Sequence, residues 1–188
     1  MNANTARYSI KIPDNVEILT NQKQGYVLIK GNLCKKLYKL LFKITVCNTK
    51  KMVYVTDNTF KKLSNNKKKQ QKSLRGTAVA MLSNHFLEVS SLTYKKLNLV
   101  GVGYKVFELP NQILHFKLGF SHSIYYNVPV SLTTNCHQSI KLVIAGNDSK
   151  LVTHTAGLIK KLKKPEPYKG KGILYSTDRV KLKEGKKV

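Results

Sequence analysis

Hydrophobic periodicity presents one order of elements twice along these 188 residues, and that doubling restricts the fold more than any other feature. In the first half, β-prone runs cover residues 27–30, 41–46 and 51–55. A lysine-rich segment follows. Then Leu74, Ala78, Met81, Leu82, His85, Phe86 and Val89 fall at three- and four-residue spacings, as on one face of a helix. The second half repeats the scheme, with strands predicted at 113–118, 123–126 and 140–144. Asn147 or Asp148 can then cap an amphipathic helix in which Leu151, Val152, Thr155, Leu158, Ile159 and Leu162 recur at helical spacing. Pro165 and Pro167 forbid its continuation. The simplest account is duplication of a unit made of a sheet and one helix; coincidence is the alternative, since α+β domains often run strands before a helix. The expected fold is therefore α+β: two similar tandem domains, each a small, mostly antiparallel sheet packed with one helix, plus a basic C-terminal extension. The expected boundaries are 1–92, with a basic loop at 61–73, and 93–188, opened by a strand across 96–106 and closed by a basic tail at 163–188.

Charge says what such a fold meets. Lys and Arg number 34 against nine Asp and Glu, a net of +25. Self-repulsion of that size calls for a polyanion. Residues 61–75 hold seven basic and no acidic residues, and 160–188 hold eleven and three, so two short stretches carry 15 of the 25 charges. Neither places large apolar residues at helical spacing, as a membrane-surface helix would. No apolar run is long enough to span a bilayer, and none is expected to insert. Nucleic acid fits better.

The most informative segment is Lys163-Lys-Pro-Glu-Pro-Tyr-Lys-Gly-Lys-Gly172. Pro165 and Pro167 stiffen the backbone before any partner is met. Gly170 and Gly172 would let it approach a phosphate closely. Lys163, Lys164, Lys169 and Lys171 supply charge, and Tyr168 an aromatic face for a base or ribose. The nearby Lys160, Arg179, Lys181 and Lys183 extend the same candidate RNA-binding set, as do Lys67, Lys68 and Arg75 in the first half. A solvated charged linker is the bland alternative, and for residues 61–75 the two readings weigh equally.

No catalytic constellation emerges. Ser121 with His122, and Cys136 with His137, are adjacent in sequence, so on a strand they face opposite ways. His85, His115 and His154 show no carboxylate partner. Gly101-Val-Gly-Tyr lacks the rest of a dinucleotide fingerprint and reads better as glycines at a bulge or close-packed strand. Cys34, Cys47 and Cys136 have no metal-ligand spacing and are expected as small buried hydrophobes in a reducing compartment. Neither an enzyme, a metal site nor a cofactor is expected.

Several segments together resemble the large-subunit ribosomal protein L-six family. These are Gly101-Val-Gly-Tyr, Leu118-Gly-Phe-Ser-His122, Ala145-Gly-Asn-Asp148 and Pro165-Glu-Pro-Tyr-Lys-Gly-Lys-Gly-Ile173. Ile10-Lys-Ile-Pro13, Val27-Leu-Ile-Lys-Gly31 and Arg75-Gly-Thr77 add a looser match in the first half. The resemblance implies two similar α+β domains, binding to large-subunit rRNA near the base of the factor-recruiting stalk, and neighbouring ribosomal proteins. Translational GTPases would engage transiently nearby. RNA contact by the family's C-terminal loop carries onto Pro165 through Gly172. Two departures stand out: Ser123 replaces the proline usual after Ser-His, and the first-domain turn has become Lys30-Gly-Asn-Leu-Cys34, which puts RNA contact by that turn in doubt.

Only three of the 34 basic residues are Arg, and Asn, Ile, Tyr and Phe recur, as A+T-rich codons supply. The first 13 residues lack the marks of a signal or transit peptide. With the 61–72 segment, expanded by comparison with the family it resembles, this makes a mitochondrial ribosome the expected setting and a plastid the second. The function expected is a structural constituent of the large subunit. A free RNA-binding chaperone or regulatory factor is the alternative, and an RNA-modifying enzyme a third reading that lacks a pocket or acid–base pair.

Overall fold

A computed structural model describes residues 8–21, 25–39, 42–47, 49–56 and 64–185, and two compact units, Met1–Leu92 and Thr93–Val188, divide the chain. In the first unit, six strands precede a helix: β1 (Ser9–Lys11), β2 (Glu17–Asn21), β3 (Tyr26–Lys30), β4 (Lys35–Lys39), β5 (Lys43–Cys47), β6 (Met52–Thr56) and α1 (Asn65–Ser90). They form two antiparallel sheets, ordered β1-β6-β5 and β2-β3-β4. Alternation puts Val27, Ile29, Ile44, Val53 and Val55 on the buried side, where they meet Ala78, Leu82, Phe86 and Val89 of α1.

The second unit comprises β7 (Thr93–Val100), β8 (Lys105–Leu109), β9 (Ile113–Lys117), β10 (Ile124–Asn127), β11 (Leu132–His137), β12 (Lys141–Gly146), α2 (Ser149–Leu162) and β13 (Gly172–Tyr175). Its sheets are ordered β11-β12-β7-β13 and β10-β9-β8. Matched in order, β7-β12-β11 repeats β1-β6-β5, and β8-β9-β10 repeats β2-β3-β4. The chain is α+β, made of two similar units, and the sheet of each is split in two. Only β13 lacks a counterpart among the described residues. The second core joins Leu97, Leu99, Leu114, Phe116, Leu142 and Ile144 to Val152, Ala156 and Ile159 of α2. The Asp148 side chain caps α2, accepting from the Lys150 N–H at 3.1 Å.

Several expectations are corrected. The basic loop placed at 61–73 is helical from Asn65, while residues 61–63 lie outside the described residues. Lys and Gln are good helix formers, and solvent screens their repulsion. The strand expected across 96–106 is two strands, β7 and β8, with a turn at Gly101–Tyr104 between them; the Tyr104 ring packs against Gly101 and Gly119, where a Cβ would sit 2.9 and 3.1 Å from ring carbons. His85, expected to lack a carboxylate, has Nδ1 3.0 Å from Oε2 of the buried Glu88, which also pairs with Lys36 at 2.5 Å. The three cysteines, free thiols, are half-buried rather than buried.

Candidate nucleic-acid interface

The C-terminal strap leaves α2 at Lys163 and returns to the second unit as β13. Its turn is closed by internal hydrogen bonds: Gly170 N–H to the Glu166 carbonyl and Glu166 N–H to the Lys171 carbonyl, both at 2.9 Å. The Ile173 N–H donates to the Lys163 carbonyl at 2.9 Å, and its side chain is fully buried beside β7. Farther along, the Lys183 N–H donates to the Pro167 carbonyl, folding the tail back over the strap. Two prolines, this hydrogen-bond set and the strand beyond hold the turn in one conformation.

Gly170 has φ +68°, which glycine adopts without penalty. At Gly172 a Cβ would fall 2.6 Å from Pro165 Cα and 2.8 Å from the Lys164 carbonyl oxygen. Both glycines are buried. In the free protein they let the strap close on itself. What the turn presents outward is Lys164, Glu166, Pro167, Tyr168 and Lys169, with Arg179, Lys181 and Lys183 exposed on the tail. Pro165, Lys163 and Lys171 are half-buried.

Lys160 is engaged within its own unit. Its Nζ lies 2.6 Å from Asp178 Oδ2 and 4.6 Å above the Tyr175 ring. Asp178 also accepts from the Tyr175 N–H at 3.2 Å. The hydrogen bond from Lys160 holds the Asp178 carboxyl below the usual carboxylate range. Lys160 thus braces the strap's exit. Arg75 is buried, donates from Nη2 to the Val55 carbonyl at 2.9 Å, and lies 4.2 Å over the Tyr8 ring. Its charge serves the core of the first unit. Lys67 and Lys68, in that same unit, are exposed on α1, whose first turn has no acid and no side-chain cap.

Phe120 and His122 were missed as candidates. Their rings stack at 5.8 Å and 17°, with Lys163 Nζ 4.1 Å from the Phe120 centroid, which joins this loop to the root of the strap. Their signal in the sequence is the Gly-Phe-Ser-His run, which carries no formal charge and so does not stand out among the basic segments.

Among the described residues, no group of three or more His, Cys, Asp or Glu could hold a metal, and no helix is long and apolar enough to cross a membrane. The fold and its surface define a duplicated α+β protein that carries an exposed cationic strap. Comparison with known proteins gives its kind. The family model described as "Ribosomal protein L6" matches residues 100–176. Over 179 residues the chain is 38% identical to the large ribosomal subunit protein uL6 of Mycoplasma genitalium, covering 95% of this chain and 93% of that protein. The proteins of the same name from Bordetella petrii and Shewanella pealeana are 32% and 34% identical over 183 residues, 97% of each chain. The chain belongs to the ribosomal protein L6 family.

Proposed function

We propose that this protein is a structural constituent of the large ribosomal subunit, doing no chemistry and binding large-subunit rRNA through the C-terminal strap. The observation that carries this is the strap itself: Lys164, Tyr168 and Lys169 stand exposed on a turn whose backbone is internally bonded and anchored by Ile173. A preformed cationic turn loses little freedom on binding, so each phosphate contact contributes more of its gross energy. The relatives' printed name, that of a large-subunit protein, supports the setting.

The test is salt dependence. With roughly six to ten phosphate contacts, affinity for large-subunit rRNA falls by about 10³–10⁵ between 50 and 200 mM salt. Replacing Lys169 and Lys171 together by Ala lowers the slope of log affinity against log salt by about two. An unaltered slope removes those lysines from the interface.

The finer reading places the protein near the stalk base, among other large-subunit proteins and close to where translational GTPases engage. The resemblance of the Pro165–Gly172 segment supports it; crosslinks from Tyr168 in intact particles test it. The Lys-rich, Arg-poor and Asn-rich composition supports a mitochondrial ribosome, with a plastid second. Co-sedimentation with salt-washed large subunits from purified mitochondria decides between them, and recovery from plastids alone would reverse the order.

A further inference from the structure

On the face of β8, β9 and β10 turned away from the core, strand register sets Phe107, His115 and Tyr125 side by side in one row. Their rings lie nearly parallel: Phe107 and His115 are 5.9 Å apart at 27°, His115 and Tyr125 5.0 Å apart at 15°. The alternate residues Val106, Leu114 and Phe116 fill the core, which fixes the outward direction of the row. Tyr125 is 63% exposed and Phe107 37%. Between them, His115 Nε2 is buried without a hydrogen-bond partner among the described residues. Two residues along the same face, about 7 Å away by strand geometry, Lys105 and Lys117 are cross-strand neighbours, both exposed. Like charges directly opposite one another weaken a strand pair, so fold stability does not account for them.

The first unit supplies a comparison from within the chain. Its corresponding sheet aligns Leu19, Leu28 and Leu37 at the same step of the register. The shared architecture therefore accepts aliphatic side chains there and does not require flat rings. Aliphatic rows suit protein contacts. Parallel rings beside paired ammonium groups suit a nucleotide, whose base stacks while its phosphate meets the lysines.

We infer that the outer face of β8, β9 and β10 is a stacking platform for unpaired RNA bases, with Lys105 and Lys117 holding the adjoining phosphate. The ligand class rests on the RNA reading above; the site is separate from the strap residues. Since the chain has no Trp, full-length Tyr125→Trp carries a lone fluorescent reporter. Its emission is expected to be quenched saturably by single-stranded oligoadenylate and by large-subunit rRNA. Tyr125→Leu, which keeps an apolar side chain but no ring, weakens rRNA affinity by about five- to 150-fold. Its salt slope stays unchanged, because stacking releases no counterions. Tyr125→Phe retains the affinity, and replacing Lys105 and Lys117 together by Gln lowers the slope by about two. Absence of quenching by either RNA, while the Lys169 and Lys171 replacements still lower the slope, overturns the platform and leaves the strap reading intact; the row then belongs to a protein neighbour. If the unaltered protein fails to bind rRNA at all, both readings fall.

Discussion

Arg75 and Cys136 are both governed by neighbours far away in sequence. The Arg75 guanidinium is held by the Val55 carbonyl and the Tyr8 ring. A hydrogen bond to a charged donor contributes about 1.5–3 kcal/mol, and the ring contact about 0.5–2 kcal/mol more. Arg75→Ala should therefore lower unfolding stability by about 2–4 kcal/mol in urea titration and leave the salt slope of rRNA binding untouched. A slope smaller by one would return Arg75 to the interface. The thiols separate by environment. Burial, helped by Glu108, raises Cys136 to about 11, whereas hydrogen bonds led by the one to Thr49 lower Cys47. The thiolate is the reactive form, so raising pH from 7 to 9 should label Cys47 with iodoacetamide well before Cys136. Mass spectrometry of peptides from native protein checks the order, and equal rates would refute it.

At the scale of elements, α1 is two helices in energetic terms. Its buried residues begin at Arg75; from Asn65 to Leu74 nothing is buried, no acid offsets the helix dipole, and lysines crowd the first turns. Amides of 65–74 should exchange with deuterium at least tenfold faster than those of 78–89 in the free protein, with the gap narrowing on rRNA. Uniform protection along α1 in the free chain would contradict this. The same asymmetry explains what the sequence revealed. The apolar half of α1 was legible because packing imposes a period; the cationic half has none, and looked like a loop. α2 was legible throughout, with Asp148 at one end and Pro165 beyond the other. β4, whose residues are Lys-Lys-Leu-Tyr-Lys, has no polar–apolar period of two, because each face of this edge strand mixes lysine with an apolar side chain. β7 and β8 were fused because a turn built on Gly101 and Gly103 resembles a bulge until pairing partners are known.

For the whole molecule, two separate cores imply that each unit carries its own stability. A fragment of residues 93–188 should unfold in one cooperative step by circular dichroism, at a midpoint independent of the first unit to within a few degrees. A fragment without a cooperative transition would show that the first unit is needed. The candidate site was legible only in part. Its strap announces itself by alternating Lys, Pro and Gly, a local signal. The inward turn of Arg75, the Lys160 bond to Asp178 and the ring row across β8 to β10 each depend on strands or turns meeting from elsewhere. No spacing along the chain encodes them.

The segment proposed to meet RNA continues into the outermost strand beside β7, and this has a consequence for how the protein is dissected. Cutting the chain after α2 to strip its positive tail would also pull Ile173 from the interior and bare a sheet edge to other molecules. Lost affinity in such a truncation would report a damaged fold and precipitation as much as missing cations. Inserted residues would meet the same restriction: the tip around Tyr168 is exposed, while the root is fixed by the sheet it completes.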